Sequence, residues 1–152
     1  MMNIKKAAEL FDLTPDTLRY YERVGVIPPV TRNESGYRDY QTNDLNWIYL
    51  AKSLRNAGIS VESLIEFAHL AQLRGIEPIE AAQKQILIDQ LEELDTTIQE
   101  LAQVRDLLTY KINTYDEHIA QFKAGTRTPD TVEKLWEQSF KGGNEYGNHH
   151  IK

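Results

Sequence analysis

Apolar residues in the first part of the chain recur at the spacing of short helices, separated by residues that end helices. A second helix should begin at Pro15, because Thr14 is a favourable N-cap and proline is tolerated at the first helical position. It should end near Val24, since Gly25 and two prolines follow. A short apolar stripe precedes this helix and predicts another helix before it. The two together predict a helix-turn-helix in which the second helix is the recognition helix. That first stripe, at i, i+3, i+4 and i+7, consists of Ile4, Ala7, Ala8 and Phe11.

A turn cluster and two further helical stripes follow. Residues 33–36 lie between residues of strand character and predict a small hairpin, or wing. Thr42 or Asn43 can cap a third helix, and Ser60 can cap a fourth that ends near Gly75. Four short helices and a wing can enclose one small core. The two inward faces consist of Trp47, Leu50, Ala51 and Leu54, and of Val61, Leu64, Ile65 and Ala68.

From Pro78 onward the apolar residues follow a heptad. They recur at alternating spacings of three and four residues, which is the a/d pattern of a coiled coil. A helix of about 45 residues would be ~67 Å long at about 1.5 Å per residue, far longer than a small head can cover. The seam therefore needs a second copy of itself, or another chain, to cover it. The predicted dimer contacts are Leu87, Leu91, Leu94, Ile98, Leu101, Arg105, Leu108, Ile112, Tyr115 and Ile119.

One polar residue interrupts this seam. Arg105 occupies a slot where an apolar residue was due, close to the middle of the segment 87–122. In an antiparallel homodimer, residues near the midpoint meet their own symmetry mates, so a polar residue there can fix register and orientation. The alternative is an arginine whose stem lies on the seam while its head reaches water. The hypothesis that follows is an antiparallel coiled coil.

These patterns predict a mainly all-α protein with three segments. Residues 1–75 should form a winged helix-turn-helix head, and residues 76–123 a coiled-coil dimerisation helix. Residues 124–152 should form a short C-terminal helix, starting at Thr128 and Pro129, followed by a flexible tail.

Composition narrows the functions that remain. With no cysteine, thiolate metal sites, cysteine nucleophiles and disulfides are excluded, and neither a Ser/His/Asp arrangement nor a phosphate-binding glycine loop indicates an enzyme or a cofactor. No apolar run reaches the roughly 18 residues that span a bilayer, so a cytoplasmic location without membrane contact is expected. The net charge of −6 lies in residues 76–152, whereas residues 1–75 are neutral and can present their arginines locally.

Three stretches together resemble the MerR family of bacterial transcription regulators. They are "TLRYYERVGVIPP", "RNESGYRDY" and "DLNWIYLAKSLRNAGISVESL", and the resemblance covers roughly residues 3–122. It implies a homodimer that places each recognition helix in a major groove of promoter DNA. It also implies that the dimer bends and untwists an overlong spacer, so that RNA polymerase engages both promoter elements.

The resemblance also assigns DNA contacts to individual residues of the head. For Tyr21 packing in the core is an alternative, and for Tyr37 and Tyr40 packing within the hairpin is one. Arg23 has the alternative of pairing with Glu22 or with Asp16. The predicted DNA contacts are Thr17, Arg19, Tyr20, Tyr21, Arg23, Tyr37, Arg38, Tyr40 and Arg55, and Lys52 is expected to be solvated.

The sequence does not identify an effector. Relatives that sense electrophiles carry a cysteine where this chain has Ser53, and metal-sensing relatives use cysteines that are absent here. His69 and His118 are isolated and the adjacent His149 and His150 lie in the predicted tail, so no metal site is expected. An unidentified small-molecule effector is one option, with Trp136, Phe140 and Tyr146 as a candidate pocket or as plain packing. A competing function is a coiled-coil adaptor whose head binds protein rather than DNA.

Overall fold

The protein is described from a computed structural model, in which residues 1–138 can be described. The mainly all-α prediction is confirmed. The chain divides into two compact units, Met1–Glu92 and Glu93–Lys152. The helices are α1 (Ile4–Leu10), α2 (Pro15–Val24), α3 (Thr42–Asn56), α4 (Val61–Gln72) and α5 (Glu80–Ala124), followed by a 3₁₀ turn at Leu135–Glu137.

Helix α2 begins and ends where its sequence signals predict. The Thr14 hydroxyl accepts a hydrogen bond from the Thr17 amide at 3.1 Å, and Pro15 is the first helical residue. Gly25 ends the helix in the left-handed conformation, with φ of 84°, which glycine adopts without a steric penalty. Both ends of the helix are therefore closed by local contacts.

The other caps agree with the sequence in part. Ser60 caps α4 as predicted, its hydroxyl accepting from the Ser63 amide. The N-cap of α3 is Gln41, not Thr42 or Asn43, because the Asp44 carboxylate accepts a 2.8 Å hydrogen bond from the Gln41 amide. This bond places the first turn of α3 one or two residues earlier than predicted.

The core of the first unit lies among α1, α2, α3, α4 and the segment that leaves α2. Leu18, Val26, Ile27 and Ile48 are each fully buried. Burying such a side chain stabilises the fold by about 1.5–3 kcal/mol relative to leaving it in water. Because Leu18 comes from α2 and Val26 and Ile27 from the chain directly after it, the core fixes both the helix and its exit.

The start of α5 is held to α4 mainly by side-chain amides. Gln83 is buried, and its amide donates to the Phe67 carbonyl while accepting from Arg74, each at 3.2 Å. Two turns later Gln90 donates to the Ser63 hydroxyl at 3.1 Å. The first turns of α5 thus belong to the same unit as the head.

The predicted coiled-coil seam runs along α5 as a row of exposed apolar side chains. Leu94 and Ile119 are half-buried and Arg105 is exposed. Within residues 1–138, no helix has both the length and the apolar character needed to cross a bilayer. The exposed members of the seam are Leu87, Leu91, Ile98, Leu101, Leu108, Ile112 and Tyr115.

The segment after α5 differs from the short helix predicted to start at Thr128. Thr128 and Thr131 close a turn through hydroxyl and backbone bonds, and only one 3₁₀ turn follows. Glu133 instead reaches Arg127 at 3.2 Å and His118 of α5 at 3.7 Å. The pKa of Glu133 is lowered, first by a hydrogen bond from its own backbone amide and further by the nearby His118 and Arg127. A short isolated helix is costly to nucleate. The hydrogen bonds and ion pairs just described form without such a helix. The predicted tail lies outside the described residues.

Candidate nucleic-acid interface

The outward face of α2 carries the residues predicted to meet DNA. Arg19 donates to Asp16 at 2.8 Å, and the side chains are 49% and 94% exposed, so solvent screens the pair. Tyr20 is exposed, and the Arg23 guanidinium lies 5.7 Å from the centre of its ring. Arg23 therefore stacks on Tyr20 rather than pairing with either carboxylate considered for it.

Thr17 lies at the start of the same helix. Its hydroxyl is 2.9 Å from the hydroxyl of Thr14, within the cap of α2. In this arrangement the Thr17 side chain supports the helix end, and DNA contact by it stays a prediction.

Tyr21 and Tyr40 both lie in the core, whereas the packing alternative for Tyr40 had been the hairpin. They are 9% and 3% exposed, and burial raises the pKa of both hydroxyls. The Tyr40 hydroxyl is buried without a hydrogen-bond partner among the described residues. The geometry favours these two rings as supports for the surface residues, not as direct DNA contacts.

The hairpin is a short turn rather than a pair of extended strands. Its stem is one antiparallel bridge between Arg32 and Arg38. The Asn33 side chain accepts from the amides of Ser35 and Tyr37, each at 3.0 Å. Gly36 takes a φ of 85° at the tip, which lets the chain reverse, and Tyr37 projects into solvent as a residue that is 71% exposed.

Glu22 joins the hairpin to α2, a role that the sequence reasoning missed. One carboxylate oxygen accepts from the Val30 amide at 2.5 Å. The other accepts from Arg38, at 3.0 Å from Nε and 2.7 Å from Nη2, and Arg32 Nη2 lies 3.8 Å away. Only 13% of the Glu22 side chain is exposed. The sequence had indicated Glu22 only as a partner for Arg23.

The base of the hairpin is anchored to α3 and to the segment that precedes α1. The buried Asp44 carboxylate accepts from the Thr31 amide at 3.3 Å as well as capping α3. On the other side, the Tyr40 amide donates to the Met2 carbonyl at 2.9 Å, and the Met2 amide donates to Asp39 at 3.1 Å. The hairpin is therefore held at its base by two elements and by Glu22 along its stem.

The end of α3 supplies two further cations. Arg55 is exposed and donates to the Ile59 carbonyl at 2.8 Å. It is also close enough to Tyr21, in the core under α2, to lower the pKa of that hydroxyl against the effect of burial. Lys52 donates to the Phe11 carbonyl at the end of α1, so the expectation that it is simply solvated is wrong.

Five arginines belong to α2, the hairpin and the end of α3, and they are called here the arginine face. Arg19 and Arg38 both act on the Tyr40 hydroxyl, lowering its pKa against the larger effect of burial. The α2 arginine and the hairpin arginine are thus both near enough to act on the same hydroxyl. The members of the arginine face are Arg19, Arg23, Arg32, Arg38 and Arg55.

The described residues add no support for an effector pocket or a metal site. Across residues 1–138 there is no group of three acidic, histidine or cysteine side chains that could hold a metal ion. Trp136 is 80% exposed, and Phe140 and Tyr146 lie outside the described residues. His149 and His150 also fall there.

Comparison with known proteins identifies the family. Residues 2–73 match the domain described as MerR HTH family regulatory protein. The HTH-type transcriptional regulator AdhR of Bacillus subtilis (strain 168) is 52% identical over 93 residues. That match covers 61% of this chain and 65% of AdhR, so the chain spans just under two thirds of that relative.

Two solved structures are similar to most of the chain. A MerR family transcriptional regulator from Listeria monocytogenes has a TM-score of 0.72 at 38% identity, covering 82% of this chain and 93% of that one. HiNmlR, a MerR family regulator that lacks the sensor domain and is bound to promoter DNA in its crystal structure, has a TM-score of 0.68 at 30% identity. That match covers 78% of this chain and 92% of HiNmlR. The chain therefore belongs to the MerR HTH family of regulatory proteins.

Proposed function

We propose that this protein is a sequence-specific, DNA-binding transcriptional regulator that acts as a homodimer on promoter DNA. The observation that carries the proposal is the arginine face, in which the exposed side of α2 and the hairpin present cations together. An isolated basic residue on a surface is common, whereas five arginines from three neighbouring elements make an electrostatic footprint for phosphates. The neutral total charge of the head does not prevent this, because phosphates respond to the local distribution.

The residues of the face have different roles in this proposal. Arg19 and Tyr20 stand on the outward side of α2 and enter the major groove, where Arg19 binds two acceptors of a guanine or clasps a phosphate. Arg38 and Tyr37 of the hairpin and Arg55 of α3 bind the sugar-phosphate backbone and set the register of the head on the duplex. Arg23, stacked on Tyr20, adds a backbone contact at the end of the helix.

Dimerisation through α5 completes the site. The exposed leucines, isoleucines and Tyr115 on α5 form one apolar seam, and burying that seam against a second copy would remove it from water. Two linked heads bind two half-sites whose separation is set by the dimer. The dimer then favours a distorted duplex, which promotes engagement of RNA polymerase without a direct contact. This function is not enzymatic and belongs in the cytoplasm, where DNA and polymerase meet.

The competing adaptor function predicts a different response to salt. Replacement of counterions at phosphates makes DNA affinity fall steeply as salt concentration rises. An apolar groove that binds a partner helix would respond little. The exposed guanidiniums of the arginine face favour the first behaviour.

The deciding experiment is a gel-shift titration of the dimer against the DNA upstream of its own gene and against a shuffled duplex. It is run at two salt concentrations, with Arg19→Ala in parallel. A specific shift that weakens with salt and is lost in the variant supports the proposal. A salt-insensitive interaction, or equal binding of both duplexes, would instead make the adaptor the better account.

A further inference from the structure

We infer that Glu22 is a positioning residue for DNA binding: it orients Arg38 toward the phosphates and fixes the hairpin to the recognition helix. This rests on the proposed function and deepens it. Glu22 itself lies under the surface and does not need to touch DNA. Its effect on binding would pass through Arg38.

The two oxygens of Glu22 are divided between two parts of the chain. One accepts from the Val30 amide, where the chain has just left α2, and the other accepts from Arg38, on the returning side of the hairpin. A single carboxylate thus connects the helix, the exit segment and the hairpin stem. Because this carboxylate is 13% exposed, the pair is screened much less than the exposed pair of Arg19 and Asp16.

The bonds to Glu22 orient the Arg38 guanidinium and leave it able to bind an anion. They use the Nε hydrogen and one Nη2 hydrogen out of the five that the guanidinium offers. Because the group is planar, holding one edge fixes where the opposite edge points. Arg38 remains 26% exposed, so that edge can meet a phosphate oxygen.

The charges around Glu22 leave a net positive charge. Arg38 and Arg32 both face the one carboxylate, with Arg32 Nη2 at 3.8 Å. One negative charge between two positive ones lets the guanidiniums lie close together. Glu22 therefore organises the cations without cancelling them.

One substitution separates this role from a purely structural one. In Glu22→Gln the side-chain oxygen can still accept from the Val30 amide, so the turn after α2 keeps its anchor. The side-chain NH2 group of the glutamine would then face the N–H groups of Arg38. Both are hydrogen-bond donors, so Arg38 would lose its fixed orientation. Glu34→Gln is the matched control, because it makes the same charge change on an exposed residue of the same hairpin.

The test is a double-mutant cycle on a DNA duplex that the wild-type protein selects from a random pool. Affinities are measured for wild type, Glu22→Gln, Arg38→Ala and the double variant, with thermal unfolding to confirm that each is folded. We expect Glu22→Gln to weaken binding roughly fivefold to tenfold, and to have almost no further effect once Arg38 is alanine. Glu34→Gln should bind as tightly as wild type or slightly more tightly.

Several results would overturn the inference. Tighter binding by Glu22→Gln would mean that the carboxylate only repels phosphate. An equal loss in the presence and absence of Arg38 would mean that Glu22 acts through the fold. Unchanged binding by Arg38→Ala would show that Arg38 does not contribute to DNA binding, so that orienting it could have no effect. Failure of the wild type to select any duplex would instead refute the proposed function, which keeps the two failures apart.

Discussion

Arg19 and Asp16 form a hydrogen-bonded ion pair of 2.8 Å one turn apart on the exposed face of α2. An exposed pair of this kind contributes at most about 1 kcal/mol, so a phosphate or a guanine can replace the carboxylate as the partner of Arg19. Until it does so, the aspartate holds the arginine along the helix.

Asp16→Asn should therefore strengthen DNA binding by roughly twofold to fivefold, because it weakens the competing partner and removes a negative charge near the phosphates. Gel-shift titration measures the change. Asp12→Asn is the control, since Asp12 has a φ of 54°, which asparagine tolerates, and precedes α2. Weaker binding by Asp16→Asn would show that the pair holds Arg19 in its binding orientation.

Arg19 and Arg55 should differ in what they contribute to recognition. Arg19→Ala removes a contact in the groove, so we expect a loss of about 1–3 kcal/mol on the preferred duplex and a relaxed preference at one base pair. Arg55→Ala removes a backbone contact, so all duplexes should weaken about equally and the salt slope should fall by roughly one. Competition titrations with single-base variants distinguish the two, and an equal loss of specificity from both would contradict these roles.

Tyr40→Phe should leave DNA affinity unchanged and keep or raise stability at neutral pH. The hydroxyl is buried and unpartnered within residues 1–138, so its removal eliminates a polar group that burial penalises. Chemical denaturation gives the free energy of unfolding, and the same preparations serve for gel shifts. A marked loss of DNA affinity would restore Tyr40 as a direct contact.

The same variant should behave differently in alkaline solution. Burial raises the pKa of Tyr40 above its ordinary value of 10.0, so the unfolded chain releases this proton first as pH rises. The stability that this group contributes is complete below about pH 10 and is lost as pH rises through the folded pKa. Tyr40→Phe should therefore lose less unfolding free energy than wild type between pH 8 and about pH 10.5. Parallel curves would contradict the assignment.

The orientation of the dimer can be read by cross-linking, because the chain has no cysteine of its own. Residues 91 and 119 lie at equal distances in sequence on either side of Arg105. In an antiparallel dimer centred there, a mixture of Leu91→Cys and Ile119→Cys should form disulfides between the variants, while either alone forms few. Gln103→Cys, an exposed position off the seam, is the control. Efficient cross-linking of Leu91→Cys to itself would indicate a parallel pair.

Local signals carried the prediction of the helices. The extent of α2 follows from Thr14, Pro15 and Gly25, and α4 begins where Ser60 indicates. Each of these residues acts on backbone groups a few positions away, so its effect is visible in a short stretch of sequence. The heptad likewise predicts the long α5 helix, because its period is a local property.

Contacts between distant residues could not be predicted in this way. Glu22 meets Val30 and Arg38, and Lys52 reaches the end of α1, across 8 to 41 positions in the chain. No periodicity indicates which carboxylate will turn toward which guanidinium once the core has formed. The burial of Tyr40 is a similar case, since a tyrosine in a hairpin suits both a surface and a core.

The closed ends of α2 have a consequence for the thermodynamics of recognition. A helix that must fold on its target adds the burial of its own apolar surface to the heat-capacity change of binding. Here Thr14 and Gly25 close the helix, and Leu18 is already buried beneath it, in the DNA-free protein. Calorimetry should therefore find a heat-capacity change that reflects the protein–DNA contact surface and the bending of the duplex. The conformational freedom that is lost on binding would then be lost mostly by the DNA.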